Sequence, residues 1–547
     1  MQGDAFGKMM SRRCAGCYFV ICVMFALCAL RVGIIATGKT TSAGNTSAYY
    51  TLTVTRPRGT LYDRNGIPLN NRRERIIAAV SPSMKAVAAL RSVLGNSPVL
   101  IGLLERLGKG YPVLCELSRM VECEGIVCTV VKDADTSDKP AVHMIGYTDS
   151  SGHGATGLEA AFDSLLYSEQ TVDAVFELSG NGSVLGGKAP EIRGADIQTA
   201  AVYTTLDSAI QRVAEESCSG IASGAAAVCE IGTGRICAAV SKPGFDCTSL
   251  SDYLNREDAP LLNRLVSAYS VGSVFKPCVA AAGIEQGCAG LSFNCTGSIK
   301  LDGRDYHCHK RTGHGLLSLG GAISESCNTF FYQFAAAAGA DAVYEKMTAC
   351  SFGSAFEIAP NFKNAAGKIP EKSSLYADAA LANLSIGQGS LLLSPVSMLT
   401  LYCAIASDGG YYLPHIVEKT VNAGKTERYD YGRKTVVMKP ETAAMLREYL
   451  KQTVASGTGT AAKTELCTAA GKTATAQTGR FDETGKEINI GWFCGYFPAE
   501  NPKYAVVVME ENANGYNAAP VFAAIADGIT ALENGQPEER QITASQE

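Results

Sequence analysis

The chain has 547 residues, 46% of them hydrophobic and 18% charged, the make-up of an ordinary folded protein with room for roughly two to four domains and a sizeable core. Its formal net charge is −5, and no basic cluster is interleaved with aromatics. That balance excludes a polyanion as the expected partner, so no nucleic-acid binding is anticipated.

In chain order, the first element is the apolar run CYFVICVMFALCALRVGIIAT from Cys17 to Thr37, about the length a helix needs to cross a bilayer. Lys8, Arg12 and Arg13 precede it and Lys39 follows. The positive-inside rule then makes residues 1–16 a cytoplasmic tail, 17–37 a transmembrane anchor, and the rest extracytoplasmic. Arg31 lies near the outer end of the span, roughly 9 Å along the helix axis from it, so its side chain can snorkel to the interface. A cleaved signal peptide is the competing reading, but no small-x-small site follows the apolar run. Leu27 before Cys28 also argues against a lipoprotein site.

A polar Thr/Ser/Gly-rich linker spans about Thr37 to Ser47. A mainly-β block, residues 38–198, is expected next, with strands in YYTLTVTR, RIIAAV and GIVCTVV and a helix over Met84 to Leu94. The stretch GNGSVLGGK, residues 180 to 188, reads as a turn between strands.

The larger block, residues 199–533, reads as α/β (α+β). GAAAVCEIGTGRICAAVS forms a hairpin around a Gly-Thr-Gly turn, and LCTAAGKTATAQ, NIGWFCGYF and KYAVVVMEE supply three more strands near the other end. Helical stretches such as SVFKPCVAAAGIE and SPVSMLTLYCAIAS lie between. One antiparallel sheet closed by both ends of the block, with a helical lobe inserted, accounts for that order. Residues 534–547 form a polar tail.

Twenty cysteines are many for an exported chain. Most sit in apolar runs, around Cys229, Cys237 and Cys467 for example, and read as small core hydrophobes rather than as a disulfide framework. Cys295 and Cys308 stand apart, with His307, His309 and His314 close by. Their spacing matches no common four-ligand zinc pattern, and the segment reads as a surface loop, so neither a metal nor any other cofactor is expected.

Three short motifs carry chemistry. In YSVGSVFKP, Ser273 and Lys276 are i and i+3 at the start of an Ala-rich helix and share a face. A serine hydroxyl becomes a nucleophile when a neutral base takes its proton; the helix dipole and a second cation would both lower the Lys276 pKa. This is the chain's only Ser-x-x-Lys. Ser326 and Asn328 in SESCNTFF offer a hydroxyl and an amide two residues apart, although Ser179/Asn181 and Ser292/Asn294 share the pattern. In AGKTATAQ, Lys472, Thr473 and Thr475 lie on a strand, where the two threonines point the same way and, with the ammonium, suit a carboxylate.

In this order the motifs resemble the Ser-x-x-Lys, Ser-x-Asn and Lys-Thr-Gly of class B penicillin-binding proteins, the peptidoglycan D,D-transpeptidases. The resemblance runs from the anchor to about residue 531. RGTLYDRNG (58–66), HMIGY and TGLE (143–159) and TTLDSAIQ (204–211) are similar to segments joining that family's pedestal to its catalytic domain. SIGQGSLLLSP (385–395) and GWFCGYFP (491–498) resemble blocks around its site.

The resemblance implies a penicillin-binding/serine β-lactamase-like transpeptidase fold preceded by a pedestal. It implies that Ser273 is acylated by a D-Ala-D-Ala stem peptide, with Lys276 as base and Ser326 and Lys472 relaying the proton. Asn328 would hold the peptide, Thr473 and Thr475 its carboxylate, and the backbone N–H groups of Ser273 and Thr475 the oxyanion. β-Lactams would acylate the same serine. With no glycosyltransferase domain between anchor and catalytic block, the implied partner is a SEDS-type glycosyltransferase in the membrane. One departure is Ala474, where the family has glycine; its methyl is expected to crowd the face opposite the threonines and modulate acylation. A D,D-carboxypeptidase, a serine β-lactamase, and a non-catalytic β-lactam-binding scaffold or sensor are the alternatives.

Overall fold

The computed structural model describes residues 3–37, 48–95, 97–481, 483, 485–511 and 518–535. Its first helix, Gly3–Thr37, contains the apolar stretch Ala15–Gly33, none of it buried, long enough to span a bilayer. Apart from Thr37, the expected linker lies outside the described residues. So do residues 536–547 of the expected tail, while the last helix continues to Asn534.

Two compact units divide the chain. The smaller comprises Met1–Leu52, Ile77–Thr129 and Asp173–Arg193. Arg73–Val80 is the central strand of one three-stranded sheet, between Val113–Leu117 and Ile126–Asp133. Val172–Glu177 is central in another, between Tyr49–Thr55 and Glu191–Arg193. Helix Met84–Leu94 starts where expected, its first turn capped by the Ser83 hydroxyl accepting from Ala86 N.

The larger unit comprises Thr53–Ile76, Val130–Val172 and Gly194–Glu547. The chain therefore does not divide once at residue 198 as expected, because two stretches of the anticipated pedestal pack within the larger unit. Buried polar bonds explain it. Glu159, fully buried, accepts from Arg58 Nε at 2.7 Å and Asn70 Nδ2 at 2.7 Å. Asp63, also fully buried, accepts from Ser208 Oγ at 2.7 Å and from the backbone of Asn65 and Ile67. Buried carboxylates need such partners, so RGTLYDRNG and TGLE are held by these hydrogen bonds together with Leu61 and Leu158, which are fully buried in the main core.

The centre of this unit is a five-stranded antiparallel sheet. Its strands are β1 (Gly224–Glu230), β2 (Ile236–Lys242), β3 (Ala470–Phe481), β4 (Glu487–Phe497) and β5 (Tyr504–Glu511), in the order β2-β1-β5-β4-β3. Both ends of the block thus meet in one sheet, as the strand pattern anticipates. Alternation sorts the side chains to two faces. Ala226, Val228, Val506 and Val508 pack with Phe522, Ile525 and Ile529 of the last helix, whereas Ala225, Ala227, Cys229 and Val507 join the larger core. That core includes helices α1 (Lys276–Glu285) and α2 (Asn328–Ala338) and the fully buried helix Pro395–Ala406. β3 is an edge strand, so one of its sides is left without a strand partner in the sheet.

Candidate active site

Gly272–Phe275 forms one 3-10 turn immediately before α1, so Ser273 sits a turn ahead of the helix and Lys276 begins it. Several contacts hold this turn. Tyr269 and Ser270 pair with Leu393 and Leu392, Gly272 N donates to Gly387 O at 2.9 Å, and Trp492 Nε1 donates to Ser270 O at 2.9 Å. The blocks 385–395 and 491–498 therefore act on the turn that carries Ser273. Two glycines are needed for this. Gly272 has φ +61 and a Cβ there would lie 3.2 Å from Ala476; Gly387 has φ +71 and a Cβ would lie 2.0 Å from Gly272 O.

Lys276 is fully buried, and its Nζ donates to Ser326 O at 2.7 Å and Asn328 Oδ1 at 2.8 Å, with Ser326 Oγ at 3.2 Å. A neutral amine has two N–H groups and one lone pair. The two carbonyls take the N–H groups, which leaves the lone pair for a hydroxyl. Burial draws the Lys276 pKa down to about 7, against the opposing pull of the Cys327 and Cys308 thiols. Desolvation, rather than the helix dipole or a second cation, is thus the leading cause. Ser326 takes a left-handed backbone, φ +54, as it turns both its carbonyl and its hydroxyl toward Lys276.

Along β3 the exposure alternates. Thr473 and Thr475 face outward together, while Lys472, Ala474 and Ala476 face inward. The two threonines thus point the same way as expected, while Lys472, expected to add its charge to their carboxylate receptor, lies on the opposite face. Its Nζ, fully buried, reaches Thr458 Oγ1 at 3.3 Å and Thr473 O at 3.2 Å. Burial, followed by repulsion from Lys276, holds its pKa well below the usual lysine value. Ala474 is buried with its methyl directed at Gly272, so a Cβ on Gly272 would lie 3.4 Å from it. The departure from glycine is thus accommodated by the glycine before Ser273.

Ser273, Ser326, Asn328, Thr473, Ala474 and Thr475 line one cleft of about 490 Å³, joined by His309, Thr458 and Thr460. Lys276 and Lys472 lie beneath its floor as buried groups. Thr458 was not anticipated. Besides Lys472, it bonds Thr473 Oγ1 at 3.3 Å and Ser324 O at 3.1 Å. The dense SGTGT run (456–460) after a long helix is the signal that marks it.

The segment around Cys295 departs from expectation. It is not a loop but a pair of hairpins, and Cys295, Cys308 and His314 converge with Cys327, all four donor atoms within 4.8 Å of one another. Local spacing hid this set because the fourth member comes from inside the second motif. His307 and His309 are outside it.

Residues 224–527 match the family model for the penicillin binding protein transpeptidase domain. The chain is 29% identical to the peptidoglycan D,D-transpeptidase MrdA of Acinetobacter baumannii over 68% of its own length and 60% of that protein's. It therefore spans about three fifths of that relative. With MrdA of Salmonella typhimurium the identity is 25%, over 96% of this chain and 97% of the other. Penicillin-binding protein 3 of Mycobacterium tuberculosis, solved with aztreonam, shares the fold at a TM-score of 0.64, with 23% identity over 89% of this chain and 98% of that one.

Proposed function

This chain belongs to the penicillin-binding protein transpeptidase family, as a class B member, and on that footing we propose that it is a membrane-anchored peptidoglycan D,D-transpeptidase working through an acyl-enzyme on Ser273. The observation that carries this reading is the setting of Lys276, a buried amine whose two N–H groups are engaged by carbonyls one helical turn from Ser273.

Ser273 Oγ attacks the penultimate carbonyl of a D-Ala-D-Ala stem peptide. Its proton passes to Lys276 Nζ, the Oγ–C bond forms, and the amide C–N bond breaks. Ser326 hands the proton on to the departing D-Ala amine, with Lys472 beside Lys276 discouraging the proton from staying. The backbone N–H groups of Ser273 and Thr475 receive the oxyanion. Asn328 grips the peptide, and Thr473 and Thr475 hold the terminal carboxylate. The amine of a neighbouring stem then displaces Ser273 and completes the cross-link. An extended stem suits the open side of β3, where backbone pairing aligns it across the cleft. β-Lactams acylate Ser273 by the same attack.

The N-terminal helix anchors the catalytic unit on the extracytoplasmic side, and glycan chains come from a SEDS-type glycosyltransferase in the same membrane. Incubating the full chain in detergent with a D-Ala-D-Ala stem donor and an amine acceptor tests the reading. Release of D-Ala with a cross-linked product is expected; release of D-Ala without cross-link, acceptor present, would make it a carboxypeptidase.

A further inference from the structure

The buried helix Pro395–Ala406 is fixed near its start by hydroxyl groups. Ser394 caps it, accepting from Ser397 N at 3.0 Å and donating to Asn364 Oδ1 at 2.6 Å, and Thr400 Oγ1 donates to Cys350 O at 2.8 Å. Two turns in, Tyr402 has no exposure, and its Oη donates to the backbone O of Val274 at 3.0 Å. Val274 follows Ser273 directly, so this bond runs from the core to the turn that carries the nucleophile. A phenylalanine ring would fill the same space. The hydroxyl is the costly atom, because once buried it needs an acceptor.

The acceptor it has is a particular one. In the 3-10 turn Gly272–Phe275, Lys276 N donates to Ser273 O. The next bond of that series would run from residue 277 to Val274 O, and Pro277 has no N–H to give. The change from 3-10 to α winding therefore falls at a carbonyl deprived of this donor, and the Tyr402 hydroxyl supplies one from another element. On the other side of Ser273, Gly272 N donates to Gly387 O at 2.9 Å. Ser273 is thus bracketed by two bonds, one on the residue before it and one on the residue after it. Both lead to the single stretch of chain between residues 387 and 402. Burial keeps the Tyr402 pKa well above the usual tyrosine value, so the hydroxyl stays protonated and donates.

We propose that Tyr402 is a positioning residue for acylation, its hydroxyl fixing the Val274 carbonyl and with it the orientation of Ser273 toward Lys276. Tyr402 does not line the cleft and acts only through the backbone. A displaced nucleophile loses rate even when binding is intact, since a shift of about 1 Å can cost about 10²-fold. This role rests on the acyl-transfer reading above.

The test is stopped-flow labelling of the full chain in detergent by a fluorescent penicillin, over a range of concentrations that separates the limiting rate from the half-saturating concentration. Tyr402→Phe keeps the ring and removes the hydroxyl. Its limiting rate is expected to fall about 5- to 50-fold, with the half-saturating concentration within about twofold of wild type. The labelled fraction at completion is expected to match wild type, and the pH inflection set by Lys276 to stay at about 7, because burial rather than Tyr402 sets that value. The end point counts folded sites, so a merely structural role would lower it and leave the rate alone. A wild-type limiting rate in Tyr402→Phe, or a loss confined to the labelled fraction or to the half-saturating concentration, would overturn the role of Tyr402 while leaving the acyl-transfer reading in place. Wild-type protein that takes no label would overturn that reading, and this role with it.

Discussion

Lys276 Nζ lies 2.8 Å from Asn328 Oδ1, so the first and second motifs of the site are joined through a single buried amine. The titratable groups around that amine are Lys472 from β3 and the Cys327 and Cys308 thiols, and its pKa is drawn down to about 7 chiefly by burial. In the proposed mechanism the reacting form is the neutral one, which accumulates as pH rises through that value. Acylation by a β-lactam is therefore expected to rise about tenfold per unit below pH 7 and level off above it, as followed by stopped-flow labelling. Lys276→Ala should slow it by about 10²- to 10⁴-fold and remove the inflection. A rate flat from pH 5.5 to 9 would contradict this role.

Ala474 and Gly272 face each other across the seam between β3 and the turn that carries Ser273. Gly272→Ala places a methyl 3.2 Å from Ala476 and 3.4 Å from Ala474, on a backbone at φ +61. A cost of about 1–3 kcal/mol in unfolding free energy is expected, with slower acylation. Ala474→Gly alone should cost about 0.5–1 kcal/mol. Combined with Gly272→Ala it should cost less than the sum, as measured by a double-mutant cycle. Strict additivity would show that the two positions do not share a contact.

Arg58 donates to the fully buried Glu159 from a side chain that is itself nearly buried. Arg58→Ala leaves that carboxylate without its cation and is expected to destabilise the protein by about 3–5 kcal/mol in denaturant titration. Arg58→Ala together with Glu159→Gln should recover part of the loss. No recovery would mean that Arg58 acts mainly by packing.

Thr458 connects Lys472, Thr473 and the Ser324 carbonyl. Thr458→Val keeps the shape and removes three hydrogen bonds, one of them to a buried amine. Acylation efficiency is expected to fall about 10- to 100-fold in stopped-flow labelling, and unfolding free energy by about 1–3 kcal/mol, because each such bond contributes about 1 kcal/mol.

Much of this arrangement is legible in the residues. Short apolar runs bounded by turn residues place all five strands of the central sheet, and the Ala-rich run after Ser273 marks a helix. Thr473 and Thr475 share a face because a strand has no other periodicity. What escapes is whatever depends on distant partners. Nothing near Lys472 in sequence says that its side chain turns inward to Thr458, because one strand pattern fits either facing. The pedestal boundary misleads because Arg58 and Glu159, a hundred residues apart, meet only in the fold, as do the buried Leu61 and Leu158 beside them. The Cys295 segment reads as a loop because its three donors make a poor motif until Cys327 supplies the fourth.

The most direct measurement of the central claim is a peptide-level mass map of the full chain after incubation with a β-lactam. A single adduct at the mass of the opened β-lactam is expected on Ser273, absent from Ser273→Ala and slow to form in Lys276→Ala. An adduct on another residue, or equal labelling of Ser273→Ala, would contradict the assignment of Ser273 as the nucleophile.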